Sequence, residues 1–329
     1  MQKKLKIYFV FLLYLSLSFI AASAPAGEKK PSEIKIATVN GSIITQEDFN
    51  WDMNKIQQIF LGAGKQLDDS QLSALKSKIL DELINRELLY QDSQKKGITV
   101  DDAQINEQLE KLKKGFPSEA DFKASLIDAD ISEAALKSRI TRGIILEKFI
   151  DTHFSQKTTI SDNESNTFYK ENPNFFIKPE QVRASHILIQ FDPKDDESKK
   201  KKALKKLEKI KQKLEKGGDF SVLAKESSQD PSSAEGGDLG YFSRGQMVKP
   251  FEDAAFALEI GKVSNIVMTD FGYHLIKVTD KKPETVIPYQ EVKTSLENYL
   301  KQKKVQEEVN AYINKLKEKA KIEKFLPEG

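Results

Sequence analysis

The feature that most constrains the fold is a change of pattern near Glu180. Before this residue, apolar side chains recur at helical spacing over most of the chain. From about residue 180 to about residue 280, short apolar runs alternate with glycine-rich turns, which is typical of strands. Helical spacing returns after Pro288. This order predicts an α+β protein in which helical segments flank a smaller domain that contains a sheet.

Length and composition agree with more than one domain. The chain has 329 residues, which suits two or three domains. Hydrophobic residues make up 39% and charged residues 31% of the chain, so we expect globular domains with strongly solvated surfaces. The formal net charge is only +2 at pH 7, which argues against general nucleic-acid binding.

The first 24 residues have the pattern of a signal peptide. The uncharged apolar run Ile7–Ile20 follows a short basic segment and is shorter than the roughly 20 residues of a membrane span. We therefore expect export with cleavage, and an uncleaved anchor is the alternative. Cleavage removes three lysines and no acidic residue, which lowers the formal net charge from +2 to −1. The small residues that offer cleavage sites are Ala24 and, as alternatives, Ala22 and Ala26.

Cysteine is absent from the chain. This excludes disulfides, thiolate nucleophiles, cysteine-ligated zinc and a lipid-modified N-terminal cysteine. The three histidines form no HExxH motif, and no GxSxG motif is present. We therefore expect no metal, no cofactor and no hydrolase triad. His153 lies by itself near a predicted helix end, where we expect an exposed or capping residue.

The segment of residues 25–175 predicts a helical module. An alternating run, Ile34–Val39, predicts a strand that ends in a tight turn at Asn40-Gly41. Thr45 and Asp48 then match a capping box. Periodicity and capping patterns predict five helices, at about residues 46–60, 70–96, 100–114, 133–149 and 162–172, with Thr99 and Asp102 as the capping pair of the third.

The segment of residues 180–280 predicts the sheet-containing domain. A strand is expected at Val182–Gln190, a lysine-rich helix at Ser198–Lys216 and a short helix at Asp219–Glu226. Glycine-rich turns and short strands follow as far as Thr279. The C-terminal segment, residues 281–329, predicts one long helix from about Gln290 to Lys319.

Five motifs between residues 182 and 278 resemble the parvulin family of peptidyl-prolyl cis/trans isomerases. They occur in the family's order over about a hundred residues, which makes the resemblance specific. It implies a small, mostly antiparallel four-stranded sheet with helices, and catalysis of X–Pro isomerisation. The motifs are Val182–Ile189, Gly217–Ala224, Ser227–Phe242, Gln246–Phe251 and Phe271–Ile276.

The flanking segments resemble the N-terminal module of SurA- and PrsA-type foldases. The resemblance is carried by Val39-Asn40-Gly41 before a helix and by the sequence LINRELL at Leu83–Leu89. It implies that the C-terminal helix packs back onto the N-terminal helices and that the partners are unfolded, exported polypeptides. The lipid-modified cysteine common in single-membrane relatives is absent, which favours the periplasm of a two-membrane cell.

Prolyl isomerisation needs no bond to be made or broken. Rotation about the amide faces a barrier of about 18–20 kcal/mol that arises from resonance, so a catalyst must favour the twisted amide. An apolar pocket for the proline ring and a suitably polar, poorly solvated surround for the carbonyl would meet this need.

The residues that match the family's catalytic set are His186, His274, Asp230 and Thr269. In the family a histidine pair shapes the site, an acidic residue or a cysteine adjusts its polarity, and a hydroxyl supports the pair. By strand alternation, His186 shares a face with Ala184 and Leu188, so neighbouring strands would let the imidazoles hydrogen-bond. Two structural alternatives remain: ordinary core histidines, and an Asp230 that initiates a turn before Pro231.

The family's proline pocket is matched by Leu239, Met247 and Phe251, and Phe271 occupies a position that is small in some relatives. The alternative for Met247 and Phe251 is that they are ordinary core residues, but the neighbouring Lys249 and Pro250 suit the rim of a pocket better. Gly236, Gly237 and Gly240 are expected to be turn and close-approach glycines, since no Walker-type lysine follows them.

Phosphate specificity is not expected. Some parvulins select phosphoserine–proline with arginines in the loop after the first strand, and the corresponding segment Phe191–Glu197 is acidic and lacks arginine. Lys199–Lys202 follow, and we interpret them as a solvated helix face. Two functions remain: an isomerase for exported unfolded clients, and a holdase in which the parvulin domain is a catalytically weak scaffold.

Overall fold

The computed structural model describes residues 34–64, 66–129 and 131–325. The predicted signal peptide, residues 1–24, and the polar segment after it, residues 25–33, lie outside these residues. The described chain divides into two compact units. One comprises Asn166–Lys293, and the other comprises the residues before Asn166 and those after Lys293. The described residues include no helix that is both long and apolar enough to cross a bilayer.

The secondary structure follows the predicted order, apart from the helices Glu119–Asp128 and Lys249–Ala257 and the strand Ile322–Lys324, which were not predicted. The helices are α1 (Gln46–Gly62), α2 (Asp69–Lys95), α3 (Asp102–Lys113), α4 (Glu119–Asp128), α5 (Glu133–Ile150), α6 (Asp162–Glu171), α7 (Glu197–Glu215), α8 (Phe220–Ser227), α9 (Lys249–Ala257) and α10 (Tyr289–Lys317). The strands are β1 (Lys35–Val39), β2 (Ser42–Thr45), β3 (Ile177–Lys178), β4 (Gln181–Gln190), β5 (Asp238–Ser243), β6 (Val267–Thr269), β7 (Gly272–Lys282), β8 (Thr285–Val286) and β9 (Ile322–Lys324).

Side-chain caps fix where the helices of the N-terminal module begin. Thr45 and Asp48 form the predicted capping box of α1. The capping prediction for α3 was wrong, because Asp101 and not Thr99 accepts the amide of Gln104. An aspartate one residue before the helix satisfies the same free amide that a threonine would.

The helix count of the module was also wrong, because α4 was missed. This helix has 10 residues, and Ser118 caps it by accepting the amide of Asp121. It buries Phe122 completely, with the ring edge-on to Phe116 at a centroid distance of 5.4 Å. Too few apolar residues recur over so short a segment for periodicity to reveal it.

The helical module also carries a small antiparallel sheet of order β2-β1-β9. The predicted turn between β1 and β2 is confirmed, since Asn40 and Gly41 have φ angles of 53° and 89°. The third strand, β9, comes from the C-terminal segment and was not predicted. Its three residues are too few to show an alternating pattern.

Two arginines one turn apart on α5 tie the helices of the module together. Arg142 pairs with the buried Glu87 of α2 at 2.7 Å and lies over the ring of Tyr90. Arg139 pairs with Glu47 at 3.1 Å and lies over Trp51, 4.6 Å from the ring centroid. The Glu87 carboxylate is 6% exposed, so its ion pair offsets a desolvation cost as well as joining two helices.

The C-terminal part of α10 packs against the N-terminal helices, as the resemblance predicted. Val309 and Ile313 are buried in a cluster with Leu89 and Phe149. The hydroxyl of Tyr312 donates a hydrogen bond of 2.6 Å to Asp92 on α2. The helical module is therefore built from both ends of the described chain.

The other unit contains a four-stranded sheet of order β5-β4-β7-β6, with all neighbouring pairs antiparallel. Helices α7 and α8 cover one face of this sheet, where Leu207 packs with Ile187 and Leu275. Helix α9 covers the opposite face, where Phe251 packs with Ala184 and Ile276. The α+β prediction with its mostly antiparallel four-stranded sheet is confirmed.

We expect that Leu207→Ala destabilises this unit by about 2–5 kcal/mol, because it leaves a cavity between α7 and the sheet. Hydrogen–deuterium exchange of β7 peptides across a urea series measures the change. Lys206→Ala is the control, since its exposed side chain predicts an effect within about 0.5 kcal/mol. Equal effects of both substitutions would contradict the packing of α7 on the sheet.

Candidate active site

The two predicted site histidines lie on adjacent strands and touch. In the β4–β7 ladder, Leu188 is opposite His274 and His186 is opposite Ile276, so the histidines are diagonal neighbours on one face. Their Nδ1 atoms are 3.2 Å apart, within hydrogen-bond distance. Both side chains are buried, with 5% and 4% of their surface exposed. The predicted contact between the imidazoles is confirmed.

Thr269 completes one end of this pair. Its Oγ1 lies 2.8 Å from Nε2 of His274 and also accepts a hydrogen bond from the amide of Phe271. Thr269 is at the end of β6 and is itself buried. The hydroxyl therefore contacts the histidine pair as the resemblance implied.

Asp230 lies at the other end. Its Oδ1 is 3.2 Å from Nε2 of His186, although the angle at this contact falls short of a hydrogen bond and leaves Nε2 without a well-aligned partner among the described residues. The same carboxylate oxygen accepts the amide of Ser232 at 2.9 Å and its hydroxyl at 2.6 Å. Asp230 therefore caps the short 3-10 helix that begins at Pro231, and its carboxylate also faces the histidine pair.

These contacts determine one arrangement of protons. A carboxylate beside Nε2 of His186 favours a proton on that nitrogen, which leaves the Nδ1 of His186 as an acceptor. The Nδ1 of His274 must then donate, its Nε2 must accept, and the Thr269 hydroxyl donates to it. The opposite order would turn the lone pair of His186 Nε2 toward the carboxylate. We infer a row of polar contacts from Thr269 to Asp230, in which Thr269 and the two imidazoles are hydrogen-bonded and Asp230 lies against Nε2 of His186.

Burial sets the protonation state of His274. Desolvation and then the neighbouring His186 lower its pKa from 6.5 to about 4, against a smaller opposing effect of Asp230. Burial alone would raise the pKa of Asp230, but the hydrogen bonds from Ser232 and the contact with His186 outweigh it and lower the pKa. At neutral pH the site therefore holds a neutral His274 and an ionised Asp230.

Glycine lets the loop that carries Asp230 lie against β4. Gly237 has a φ of 81°, and a Cβ there would lie 2.2 Å from the carbonyl oxygen of His186. Its own carbonyl accepts the amide of His186 at 2.9 Å. Gly236 also has a positive φ angle, 70°, in the turn just before it. The expectation of turn and close-approach glycines is confirmed for these two residues but not for Gly240, which has a φ of 69° within β5 and open space where a Cβ would lie.

Apolar side chains form the wall beside the histidines. Leu239, Met247 and Phe251 belong to one cluster between the sheet and α9. The ring of Phe251 stands edge-on to both imidazoles, with centroid distances of 5.7 Å to His186 and 5.4 Å to His274. Phe251 is buried, whereas Leu239 and Met247 are half-buried. An apolar surface therefore adjoins the polar row.

The loop that carries Met247 is held by two short-range contacts. The side chain of Gln246 accepts the amide of Ser243 at 2.6 Å. The buried carboxylate of Glu252 accepts the amide of Gly245. These bonds fix the chain between β5 and α9, so Met247 is positioned by its neighbours rather than by its own packing alone.

Phe271 differs from the other pocket candidates, because 60% of it is exposed. It follows Thr269 in the turn from β6 to β7, with its amide bonded to the threonine hydroxyl. The ring is therefore open to solvent. If Phe271 belongs to the substrate pocket, it lies at the rim of the pocket and not on its floor.

His153 was misjudged, because it neither caps a helix nor lies free. It is half-buried in a π-helical turn, Asp151–Ser155, and stacks on Phe149 with a centroid distance of 4.4 Å. The two residues are one helical turn apart, but their spacing alone does not show that the imidazole stacks on the ring. Within the described residues, no group of three or more histidine or acidic side chains is arranged to hold a metal ion.

Sequence reasoning missed three serines that hold the site together. Ser228 accepts the amide of Leu188 at 3.1 Å, and Ser264 accepts the amide of Ile276 at 2.9 Å, while Ser232 bonds Asp230. Only Ser232 could have been found from the sequence. Asp-Pro-Ser is a turn sequence in which the aspartate side chain accepts a hydrogen bond from the residue two positions later.

Comparison with known proteins adds to this geometry. Residues 171–282 match the model of the PPIC-type PPIase domain, and residues 1–150 match that of the SurA-like N-terminal domain. A foldase protein PrsA from Geobacillus sp. (strain WCH70) is 34% identical over 294 residues, which cover 89% of this chain and 88% of that protein. The chain belongs to the PrsA family of foldases.

A second PrsA matches along nearly the whole chain, and so does a SurA-like chaperone. The PrsA of Caldanaerobacter subterraneus is 31% identical over 95% of both chains. A solved SurA-like chaperone of Campylobacter jejuni is 28% identical, covers 88% of this chain and 100% of its own, and superimposes with a TM-score of 0.46. With a PPIC-type PPIase domain in a PrsA-family chain, the prediction of a peptidyl-prolyl isomerase is confirmed.

The depressed pKa of His274 predicts a loss of stability in mild acid. In the unfolded chain the imidazole of His274 has a pKa of about 6.5, whereas in the folded chain its pKa is about 4. Stability should therefore fall as the pH drops, by about 1.5 kcal/mol between pH 6.5 and pH 5 for this group. Urea-dependent hydrogen–deuterium exchange of β7 peptides at the two pH values measures it, and His274→Gln is the comparison. An equal acid sensitivity in the variant would assign the effect to other groups.

Proposed function

We propose that this chain is an exported foldase whose parvulin domain binds X–Pro segments of unfolded polypeptides between the apolar wall and the Thr269–Asp230 row. Export is supported by the basic, apolar and small-residue pattern of the first 24 residues. A periplasmic location is our preferred compartment, because the chain has no cysteine for a lipid anchor. In this proposal the domains are residues 25–175, 180–280 and 281–329, as the sequence predicts.

The observation that carries the proposal is that an apolar surface and the polar row lie side by side at Phe251. This ring touches both histidines on one side and the apolar cluster of Leu239 and Met247 on the other. In the proposal a proline ring rests on the apolar side chains, which places the preceding carbonyl beside the row. Phe271 contacts the substrate from the rim of this pocket.

The row favours the twisted amide through its charge. Resonance in a planar amide places negative charge on the carbonyl oxygen. This charge decreases as the C–N bond twists, because the resonance is lost. A cation beside the oxygen would stabilise the planar form, and a neutral His274 places none there. The ionised Asp230 at the end of the row disfavours charge on the oxygen, so the twisted state is stabilised relative to the planar one. No proton transfer is needed.

We expect that Asp230→Asn lowers kcat/KM for a short unphosphorylated X–Pro peptide about tenfold, which equals about 1.4 kcal/mol of the barrier. Asparagine can still accept the amide of Ser232, so only the charge is removed. The matched control is Asp219→Asn, since Asp219 is an exposed aspartate that caps α8 in the same domain. A similar loss in both variants would make the effect structural.

The same assay separates isomerase from holdase. No catalysis by a folded wild-type chain would move the function to the holdase alternative, and suppression of client aggregation would then be measured. Full activity of Asp230→Asn in an active enzyme would instead remove the carboxylate charge from the mechanism while leaving the isomerase function in place.

We expect that Phe251→Leu lowers kcat/KM more than Phe256→Leu does. Both rings are buried in the cluster beneath α9, but only Phe251 contacts the histidines, whereas Phe256 packs on Phe242. The two substitutions remove similar volume from one core, so thermal unfolding should show comparable destabilisation. Equal losses of activity in stability-matched conditions would remove Phe251 from the substrate pocket.

A further inference from the structure

Helix α7 carries a concentration of positive charge that the isomerase reaction does not use. Its 19 residues include nine lysines and three glutamates, which leaves a net charge of +6 in a chain whose total is +2. The apolar side of the helix is buried, with Ala203, Leu207 and Ile210 packed against the sheet. The lysines are therefore held on the outward side of a fixed helix.

Four of these lysines form a stripe along the helix. They recur every fourth residue, so each lies beside the next on the helix surface, and the stripe turns by about 120° around the axis from the first to the last. All four are exposed. Lys202 and Lys206 are exposed beside them. We name as the lysine stripe the residues Lys201, Lys205, Lys209 and Lys213.

The stripe has no internal counter-charge among the described residues. Lys199 pairs with Asp195 at 2.8 Å, Lys200 lies 3.9 Å from Glu197, and Lys211 bonds Asn265. Within the described chain, no carboxylate lies within 4.0 Å of a stripe lysine. The cationic face is thus available to an external anion.

This arrangement is unfavourable for the helix by itself. Like charges four residues apart repel each other along an exposed helix face. The lysines at Lys199–Lys202 also lie near the positive end of the helix dipole, where Asp195, Asp196 and Glu197 compensate only in part. An anionic surface that neutralises the stripe would remove this repulsion.

The stripe and the candidate active site lie on opposite sides of the sheet. Helix α7 covers the face that carries Ile187 and Leu275, whereas the histidine pair, Phe251 and α9 lie on the other face. A flat partner that contacts the stripe would leave the substrate pocket open on the far side. This geometry suits attachment to an extended surface during catalysis.

We infer that the lysine stripe docks the protein, peripherally and reversibly, on the headgroups of an anionic lipid bilayer. The stripe extends about 18 Å along the helix at 1.5 Å per residue, and the long, flexible lysine side chains let all four ammonium groups reach one plane. Attraction to anionic headgroups needs no inserted apolar residue, and it acts only within about 8 Å at physiological ionic strength. The inference draws on the proposed export, which brings the chain to a membrane, but not on the isomerase mechanism.

The test is cosedimentation of the mature chain, beginning at Pro25, with vesicles. Phosphatidylglycerol and phosphatidylcholine in equal parts form the anionic vesicle, and pure phosphatidylcholine forms the neutral one. The stripe variant changes all four stripe lysines to glutamine. The control changes four scattered, exposed lysines to glutamine and so has the same net charge: Lys78, Lys114, Lys137 and Lys303.

We expect the wild type and the control to bind anionic vesicles at low salt, to be released by 0.5 M salt because the Debye length then falls below about 8 Å, and not to bind neutral vesicles. Each lysine near the surface is worth about fivefold in partitioning, so loss of all four should weaken binding by up to several hundredfold. Unchanged peptide isomerisation by the stripe variant shows that the fold is intact and keeps this test separate from the proposed catalytic site.

Four outcomes would overturn the inference. The wild type could fail to bind anionic vesicles, the scattered control could lose as much binding as the stripe variant, or the stripe variant could bind as tightly as the wild type. Binding to soluble polyphosphate without binding to vesicles would also overturn it, and would make the stripe a site for a soluble polyanion.

Discussion

The pairing of β4 with β7 is the constraint on which the rest of the site depends. Its register places Leu188 opposite His274 and His186 opposite Ile276, so two histidines 88 residues apart in sequence meet at 3.2 Å. A shift of one residue would turn either histidine to the face covered by α7. The ladder keeps this register from Ala184 to Gln190, beyond a shift in register between Arg183 and Ala184.

The polar row is held from its ends rather than from its middle. Thr269 is fixed at the end of β6, and Asp230 is fixed by the turn that its own carboxylate caps. Gly237 allows this turn to lie against the backbone of His186, where a side chain would collide. The site is therefore an extension of the sheet and its loops, and its burial keeps His274 neutral at physiological pH.

The two faces of the sheet have separate roles. One face buries the histidines and the apolar wall beneath α9, and this is where the proposed substrate pocket lies. The other face packs against α7. The apolar side of this helix is buried against the sheet, and its lysines point outward. A single four-stranded sheet thus separates a chemical surface from a charged one, and changes on one face can leave the other intact.

The sequence by itself determined the helix periods, most caps, the glycine turns and the motif series that placed His186, His274, Asp230 and Thr269 in one site. The periods, caps and turns are local, so spacing and residue type reveal them, whereas the four site residues were grouped by the resemblance to the parvulin family. The sequence did not reveal α4, α9 or β9, whose short segments contain few recurring apolar residues, nor the stacking of His153 on Phe149 one helical turn away. Only the tertiary structure decided that Asp230 both caps a turn and faces His186, and that the lysines of α7 oppose the active face. Both results require the sheet register and the side on which each helix packs, and neither is encoded in a local pattern.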